Sequence, residues 1–418
     1  MNVKALVTAA IAGLSVLLAV SFWLGSLQQP LIDIHEFRQT QTALSALFME
    51  SGVNGILNYS TPVVGAPWSI PFEFPLFQWI CNKTAAITGF NLSTSGRFVS
   101  VLFGIGCFLP ASRLMRRAGF GLFAISILVI LYCTSPIYLY WNRTFLIETT
   151  ALFFALSSLD IYDQIRRNPG SLGRSGILLI VGLFASLTLA LLVKSTTAMV
   201  PLALMSIDMI FQSINSDEQG DAHRISGHQL SVGAALISAF VVLYAWNSHA
   251  DSIKLLNPVG AQLTSSALKA WNFGQPEQRF QALLWNGVVI QRMLMPASSV
   301  ALVFMLARSW LITTRGKREF LASCLILALA PLLVFTNLHI IHTYYQVGNQ
   351  IFLLMGIAAA SEILIDSSRS RAWMQVFVVG TLVTYIVSCI HVFGTTYWPQ
   401  SRPVSSDRLE IGKFVNAR

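Results

Sequence analysis

The sequence predicts an all-α polytopic membrane protein, with about eleven transmembrane helices and a long first extracytoplasmic loop carrying interfacial helices. Three observations carry that expectation. The chain is 54% hydrophobic and only 11% charged over 418 residues, with a mean hydropathy of +0.63. Apolar runs of about 20 residues recur from end to end, each long enough to cross a hydrocarbon core about 30 Å thick. Arginines gather in alternate short connections, as the positive-inside rule requires of cytoplasmic loops. Those loops, together with contact to phosphate-bearing lipid, account for the formal net charge of +9, so it does not imply a nucleic-acid partner.

The first span covers about 5–26, with Lys4 holding its start inside. No A-x-A site precedes Gln28-Gln29-Pro30, so this run reads as an uncleaved membrane helix and not a signal peptide. Residues 27–94 then form the first outer loop. It is rich in Pro and aromatics from Val63 to Trp79, and segments at about 38–52 and 74–88 are expected to lie as helices in the interface. The second span, about 96–112, returns inward and ends at Arg113, Arg116 and Arg117. The third (about 120–140) and fourth (about 145–164) flank an outer turn, Trp141-Asn142-Arg143-Thr144, and Arg166, Arg167 and Arg174 mark the next inner loop. The fifth span, about 176–193, exits at Lys194; the sixth, about 196–212, returns to a polar loop, Ser213–Gln229.

The seventh span (about 230–247) leads to a second long outer segment, about 248–292. The eighth (about 295–312) ends at Arg315, Lys317 and Arg318, and the ninth (about 320–337), tenth (about 350–365) and eleventh (about 374–394) follow. Residues 1–394 are thus one transmembrane domain, and 395–418 a short extracytoplasmic tail. Of five cysteines, four lie in apolar runs and Cys81 has no evident partner, so neither a disulfide framework nor a CxxC metal knuckle is expected.

The chemistry concentrates in Leu31–Ala43. Asp33, His35, Glu36 and Arg38 place two carboxylates, an imidazole and a guanidinium within six residues. Such a cluster can abstract a proton, bind an anion or hold a metal, although a solvated juxtamembrane turn would read the same way. A divalent cation on Asp33, His35 and Glu36 stays open, because the spacing is not diagnostic. Charges at membrane level cost about 2.5–3.5 kcal/mol each on insertion scales, so each asks for a role. Arg143, Glu148, Lys194, His339, His342, Tyr344, Tyr345, Gln346 and Glu73 all map to the same outer side as the first-loop cluster. Asp208 and Glu362 fall near inner helix ends and read as interfacial. A transporter would place polar groups near the midplane and a channel would string them through the pore. One-sided chemistry suits an enzyme acting on a membrane-anchored substrate, with a transporter or flippase as the alternative.

His35-x-Phe37-Arg38-Gln39-x-x-Thr42-Ala43 and Pro71-Phe72-Glu73-Phe74-Pro75-Leu76 resemble the first-loop signature of integral-membrane glycosyltransferases of the GT-C fold. These are similar to protein O-mannosyltransferases and lipid A aminoarabinose transferases. Gly96-Arg97, Ser135-Pro136, Asn142-Arg143 with Glu148, Lys194-x-x-Thr197-Ala198 and His342-x-Tyr344-Tyr345-Gln346 follow in the family's order. The resemblance implies transfer of a sugar from a polyprenyl-phosphate donor to a lipid, glycan or protein acceptor. It places the site at the outer face of a bacterial inner membrane and requires no certain cofactor. It also implies inverting stereochemistry, with Asp33 in the place of the family's carboxylate base and Glu36 as competitor. Adjacent Asp-Glu is usual in relatives, whereas Ile34 follows Asp33 here. His35, Arg38, Gln39, Glu73, Arg143, Glu148, Lys194, His342, Tyr344 and Tyr345 are the expected substrate-binding residues. Arg38, Arg143 and Lys194, with Tyr345 and His342, would face the lipid phosphate, whose growing charge on departure needs cations.

Overall fold

The computed structural model describes residues 3–49, 56–168, 173–217, 227–367 and 371–400, and every element among them is helical. Helix α1 (Val3–Gly25) leads to the outer loop, where α2 (Glu36–Leu47) and α3 (Leu76–Thr88) stand where interfacial helices were expected. Phe37, Trp79 and Ile87 are exposed on them, which suits helices lying against lipid. Next come α4 (Leu92–Gly106) with α5 (Phe108–Arg117), then α6 (Leu122–Thr134) with the short α7 (Pro136–Trp141), then α8 (Glu148–Arg167). After these, α9 (Arg174–Asp217) and α10 (Gly227–Lys254) are followed by the small helices α11 (Pro258–Ala261) and α12 (Lys269–Phe273) of the second outer segment. A π-helical stretch, Leu283–Leu294, bends by 82° into α13 (Ser299–Ile312). The bundle closes with α14 (Arg315–Val334), α15 (Thr336–Ile341), α16 (Val347–Ser367), α17 (Ala372–Val392) and α18 (Trp398–Gln400). The expected tail lies outside the described residues from 401 on.

Each of the eleven expected spans falls on helix. By length and composition, six helices among the described residues are long and apolar enough to cross a membrane, or seven with the bent pair counted as one. The others are shorter, like α6, or carry charges at an end, like α8 and α14.

The 44-residue α9 is two helices. Lys194 has non-helical backbone angles, φ −158° and ψ 93°. Gly182 packs on Ile161 of α8, while Asp208 accepts from the Tyr162 hydroxyl at 2.8 Å. A continuous helix would hold Gly182 and Asp208 about 39 Å apart, so the chain doubles back at Lys194. The expected fifth and sixth spans are therefore the two arms of a hairpin. The carbonyl of Leu192, just before the break, accepts from the Phe74 N–H of the outer loop at 3.0 Å. That contact supplies a partner that a helix end otherwise lacks.

Helix α16 is the hub. Its apolar stretch is 94% buried, against 11% for that of α1, so α16 is enclosed by protein and α1 faces outward. It packs against α6, α13, α14 and α17. Glu362 on α16 is more than an interfacial carboxylate. Its side chain accepts from Gly121 N (3.0 Å) and Ala124 N (3.1 Å), capping the start of α6, with Lys317 at 3.9 Å. Asp208 is likewise engaged, by Tyr162, by Gln212 at 2.6 Å and by Arg166 at 3.2 Å.

Removing this cap should weaken the fold. Glu362→Ala is expected to cost about 1–2 kcal/mol, the usual range for a lost N-cap. Glu362→Gln, which keeps an acceptor oxygen, should cost less, and thermal unfolding in detergent ranks the two.

Candidate active site

Two charged clusters sit side by side at the end of the bundle where α8 begins and the α9 hairpin turns. The first is built around Asp33, which precedes α2 and is only 2% exposed. Its Oδ1 accepts from Gln39 Nε2 at 2.6 Å and lies 3.4 Å from Arg97 Nη2, while Oδ2 lies 3.3 Å from Arg143 Nη1. Both arginines are fully buried. Arg97 also donates to the carbonyls of Arg143 (2.8 Å) and Pro30 (3.0 Å), and Arg143 donates to Gln29 Oε1 (2.8 Å) with its guanidinium over the Tyr140 ring. The Gln39 amide oxygen receives the Phe145 N–H at 3.1 Å. Three separate segments are thereby fastened together: the start of the outer loop, the head of α4 and the α7–α8 connection.

Close packing makes the fastening possible. A Cβ on Gly96 would come within 2.1 Å of the Phe145 ring, so only glycine lets α4 approach this connection.

The second cluster surrounds Lys194. Its ammonium pairs with Glu148, the first residue of α8, and stands 3.6 Å from the Tyr345 ring centroid and 5.0 Å from that of Tyr344. Arg38 pairs with Glu73 at 2.8 Å and also donates to Gln41. Glu73 is held in turn by Gln78 Nε2 at 2.8 Å, and its carbonyl receives the Tyr59 hydroxyl at 2.8 Å. The Leu192–Phe74 contact places Glu73 and Lys194 on the same fastening. Two cations and two carboxylates leave this cluster formally neutral.

Aromatic rings wall it. His35, whose left-handed backbone (φ 57°) starts α2, lies 4.9 Å from Tyr344, 5.2 Å from His342 and 5.7 Å from Trp141 between ring centroids. His342 stacks on Tyr344 at 5.1 Å, and Trp271 of the second outer segment approaches it at 6.2 Å. Burial pushes the His342 imidazolium down to about 4, with the positive potential of His35, Lys194 and Arg38 adding to it. Burial also lowers His35, partly offset by Glu36. Both imidazoles are therefore neutral at pH 7 and offer hydrogen bonds and flat faces, not charge.

The structure thus brings Arg38, Glu73, Glu148, Lys194, His35, His342, Tyr344 and Tyr345 together. It places Asp33, Gln39 and Arg143 in the first cluster, where Arg143 contacts Asp33, Gln29 and Tyr140. Glu36 opens α2 and is half-buried. Asp33, His35 and Glu36 do not form a metal-ligand set. Among the described residues, no three His, Cys, Asp or Glu side chains converge on one. Arg97 was visible in the sequence only as the second half of Gly96-Arg97. Its one signal was a guanidinium at the mouth of an apolar span. Tyr59, Gln78 and Trp271 carried no signal.

The arrangement has solved counterparts. ArnT from Cupriavidus metallidurans bound to undecaprenyl phosphate superposes with a TM-score of 0.60 at 14% identity, covering 91% of this chain and 75% of that one. The archaeal oligosaccharyltransferase AglB from Archaeoglobus fulgidus, in complex with an inhibitory peptide and a dolichol-phosphate, gives 0.59 at 13% identity, covering 94% and 56%. The mycobacterial arabinofuranosyltransferase AftD gives 0.54 at 15% identity, covering 96% and 27%. This is the GT-C glycosyltransferase fold. Residues 59–251, a little under half of the chain, match the family described as dolichyl-phosphate-mannose-protein mannosyltransferase. That stretch carries Glu73, Arg97, Arg143, Glu148 and Lys194 of the two clusters. No curated protein matches the chain in sequence.

The depressed His342 value has a stability consequence. Above pH 6.5 the ring is neutral whether the chain is folded or not. Between 6.5 and about 4 the unfolded chain takes up a proton that the folded one refuses, so stability falls as pH drops. Thermal unfolding followed from pH 7 to pH 5 should show this decline, and His342→Gln should lessen it, the depressed His35 supplying part of the remainder.

Proposed function

We propose that this protein is a membrane glycosyltransferase that moves a sugar from a polyprenyl-phosphate donor to an acceptor hydroxyl. The acceptor is a lipid, glycan or protein, and the reaction occurs at the extracytoplasmic face of a bacterial inner membrane. The observation that carries this reading is the pairing of Lys194 and Arg38 with carboxylates beneath Tyr344 and Tyr345, at the break of the α9 hairpin. Two solved relatives of the same fold hold undecaprenyl phosphate and dolichol-phosphate.

In the proposed reaction the acceptor oxygen attacks the anomeric carbon and the bond from that carbon to the phosphate oxygen breaks. The electron pair stays on the phosphate, and the hydroxyl proton passes to a carboxylate. A single displacement of this kind inverts the anomeric centre. Lys194 has two N–H groups beyond the one directed at Glu148. Arg38 is the more accessible cation, with 23% of its side chain exposed. Charge-assisted hydrogen bonds contribute about 1.5–3 kcal/mol each, so two such donors offset a substantial part of the charge that grows on the leaving phosphate. Neutral His35 and His342 supply flat surfaces for the sugar.

We assign the proton to Glu36, not to Asp33. The oxygens of Asp33 already face Arg97, Arg143 and Gln39 inside the protein. Its role in this reading is to position the first loop. Glu36, half-buried at the start of α2, directly follows His35, whose ring stands against Tyr344 and His342 in the second cluster. Purified Glu36→Gln given a polyprenyl-phosphate sugar should lose about 10²–10⁴ in turnover with donor affinity kept. Asp33→Asn should lower the yield of folded protein, because two buried guanidiniums lose their partner. A well-folded but inactive Asp33→Asn beside an active Glu36→Gln would return the base to Asp33. Full transfer by both variants would remove the first-loop carboxylates from the mechanism, and no transfer by the unaltered protein would favour the transport alternative.

Lys194→Ala alone would strand Glu148 as a buried charge, at about 3–5 kcal/mol. The double variant Lys194→Met with Glu148→Gln avoids that cost. It should fold normally and bind the donor lipid at least about tenfold more weakly, the equivalent of one lost charge-assisted bond. Unchanged donor affinity would remove Lys194 from the phosphate site.

A further inference from the structure

The second outer segment carries apolar side chains that the rest of the protein leaves open. Phe280 is 85% exposed, and Leu283 and Trp285, just beyond it, are exposed as well. Single exposed hydrophobic residues are ordinary, whereas a group of them at one place marks a contact surface. The proposed transfer chemistry uses none of the three.

We infer that this patch is a membrane anchor: the stretch from Phe280 to Trp285 sits in the outer leaflet, where headgroups meet acyl chains. Three observations favour lipid as the occupant. The first is level. Phe280 ends a short helical turn, Pro276–Phe280, whose Arg279 donates to the Leu333 carbonyl at 2.8 Å. Leu333 and Val334 close the last turn of α14 and are themselves exposed, so the patch continues the outward surface of that helix. Phe273 stacks on Phe335 at 5.4 Å, just past the same helix end. The second is direction. The π-helical stretch Leu283–Leu294 meets α13 at 82°. With α13 crossing the bilayer, the stretch runs close to the membrane plane, as an interfacial helix does.

The third is the direction of the hydrogen bonds. Arg279 also donates to the carbonyls of Gln275 (3.1 Å) and Phe273 (3.3 Å), and the Trp285 indole N–H donates to the Arg279 carbonyl at 2.7 Å. A segment in water can leave such donors to solvent, whereas one against hydrocarbon must satisfy them within the protein. Here the rings are outward and the hydrogen bonds inward. Tryptophan and phenylalanine are also the residue types that suit the membrane interface. Exposed Gln275 and Glu277 precede Phe280, which keeps the segment at the boundary and out of the hydrocarbon interior.

The anchor reaches the candidate active site through Asn337. Asn337 accepts from Gln278 at 3.1 Å and donates to the Trp271 carbonyl at 2.8 Å, and the Trp271 ring approaches His342. The lip of the site is therefore fastened to an element that the bilayer holds. A lipid-borne donor would meet this lip at the membrane surface, a consequence that rests on the proposed transfer reaction, as the anchor itself does not.

Spin-label depth measurement on the full chain in phosphatidylcholine nanodiscs tests the anchor. The five native cysteines are buried, so a nitroxide on Phe280→Cys is selective. Dissolved oxygen, which concentrates in the bilayer, should relax that label more than a water-soluble nickel chelate does. Relaxation dominated by the nickel chelate, or equal from the two, would put Phe280 in water and overturn the proposal. Protection from both relaxants overturns it too, since a second copy of the chain would then cover the patch. Should Phe280→Cys fail to fold, the unaltered protein gives the answer with phosphatidylcholine carrying a diazirine near the headgroup end of its acyl chain. Cross-links within residues 280–285 uphold the anchor, and cross-links confined to other segments overturn it.

Discussion

The fold hangs on a helix that breaks in the right place. At Lys194 the backbone leaves the helical region, and the Leu192 carbonyl is taken up by the Phe74 N–H of the outer loop. One contact thus ties the Pro-rich outer loop to the turn of the α9 hairpin. It brings Glu73, and through it Arg38, beside Lys194. The ion pair of Lys194 with Glu148 then fixes the head of α8 to the same point. Burying such a pair gives little net stability, whereas leaving either member alone is costly. The arrangement therefore specifies geometry more than it strengthens the fold. A cation held this way is poised for an anion without being exposed to water beforehand.

The two clusters divide the labour that the sequence had merged. Around Asp33 one carboxylate faces two guanidiniums, and nearly every contact runs to a backbone carbonyl or an amide of another segment. This is the chemistry of a fastening. Around Lys194 the charges balance, neutral aromatic and imidazole rings line the walls, and Arg38 keeps part of its side chain exposed. This is the chemistry of a site. The Tyr140–Trp141 pair, 4.7 Å apart, stands between them, with Tyr140 under Arg143 and Trp141 beside His35.

Much of the architecture was legible because hydrophobic runs and arginine placement are local signals. The two interfacial helices, the outer clustering of polar groups and the hairpin arms around Lys194 could all be read from spacing. Partnerships could not. Asp33 and Glu36 are three residues apart, and nothing in that spacing tells that one turns inward to Arg97 while the other opens α2. Arg97 and Glu362 act on residues roughly 60 and 240 positions away along the chain, and sequence periodicity carries no information at that range. The seventh span, placed at 230–247, proved longer because α10 runs past its apolar stretch into the polar Asn247–Lys254, a turn that only packing and caps can extend.

The encirclement of α16 bears on how the protein is made. Its polar side chains find partners on helices from every part of the chain. Asn349 donates to the Ala328 carbonyl of α14, Gln350 donates to Tyr385 of α17, and Glu362 caps α6. Tyr385 leaves the ribosome after Gln350 does. Gln350 also donates to the Met293 carbonyl, made before it, so the central helix is released into the bilayer with one of that amide's two N–H groups still unmatched until α17 arrives. Biogenesis of this bundle is committed late, and truncation within α17 would strike the middle of the molecule and not its edge.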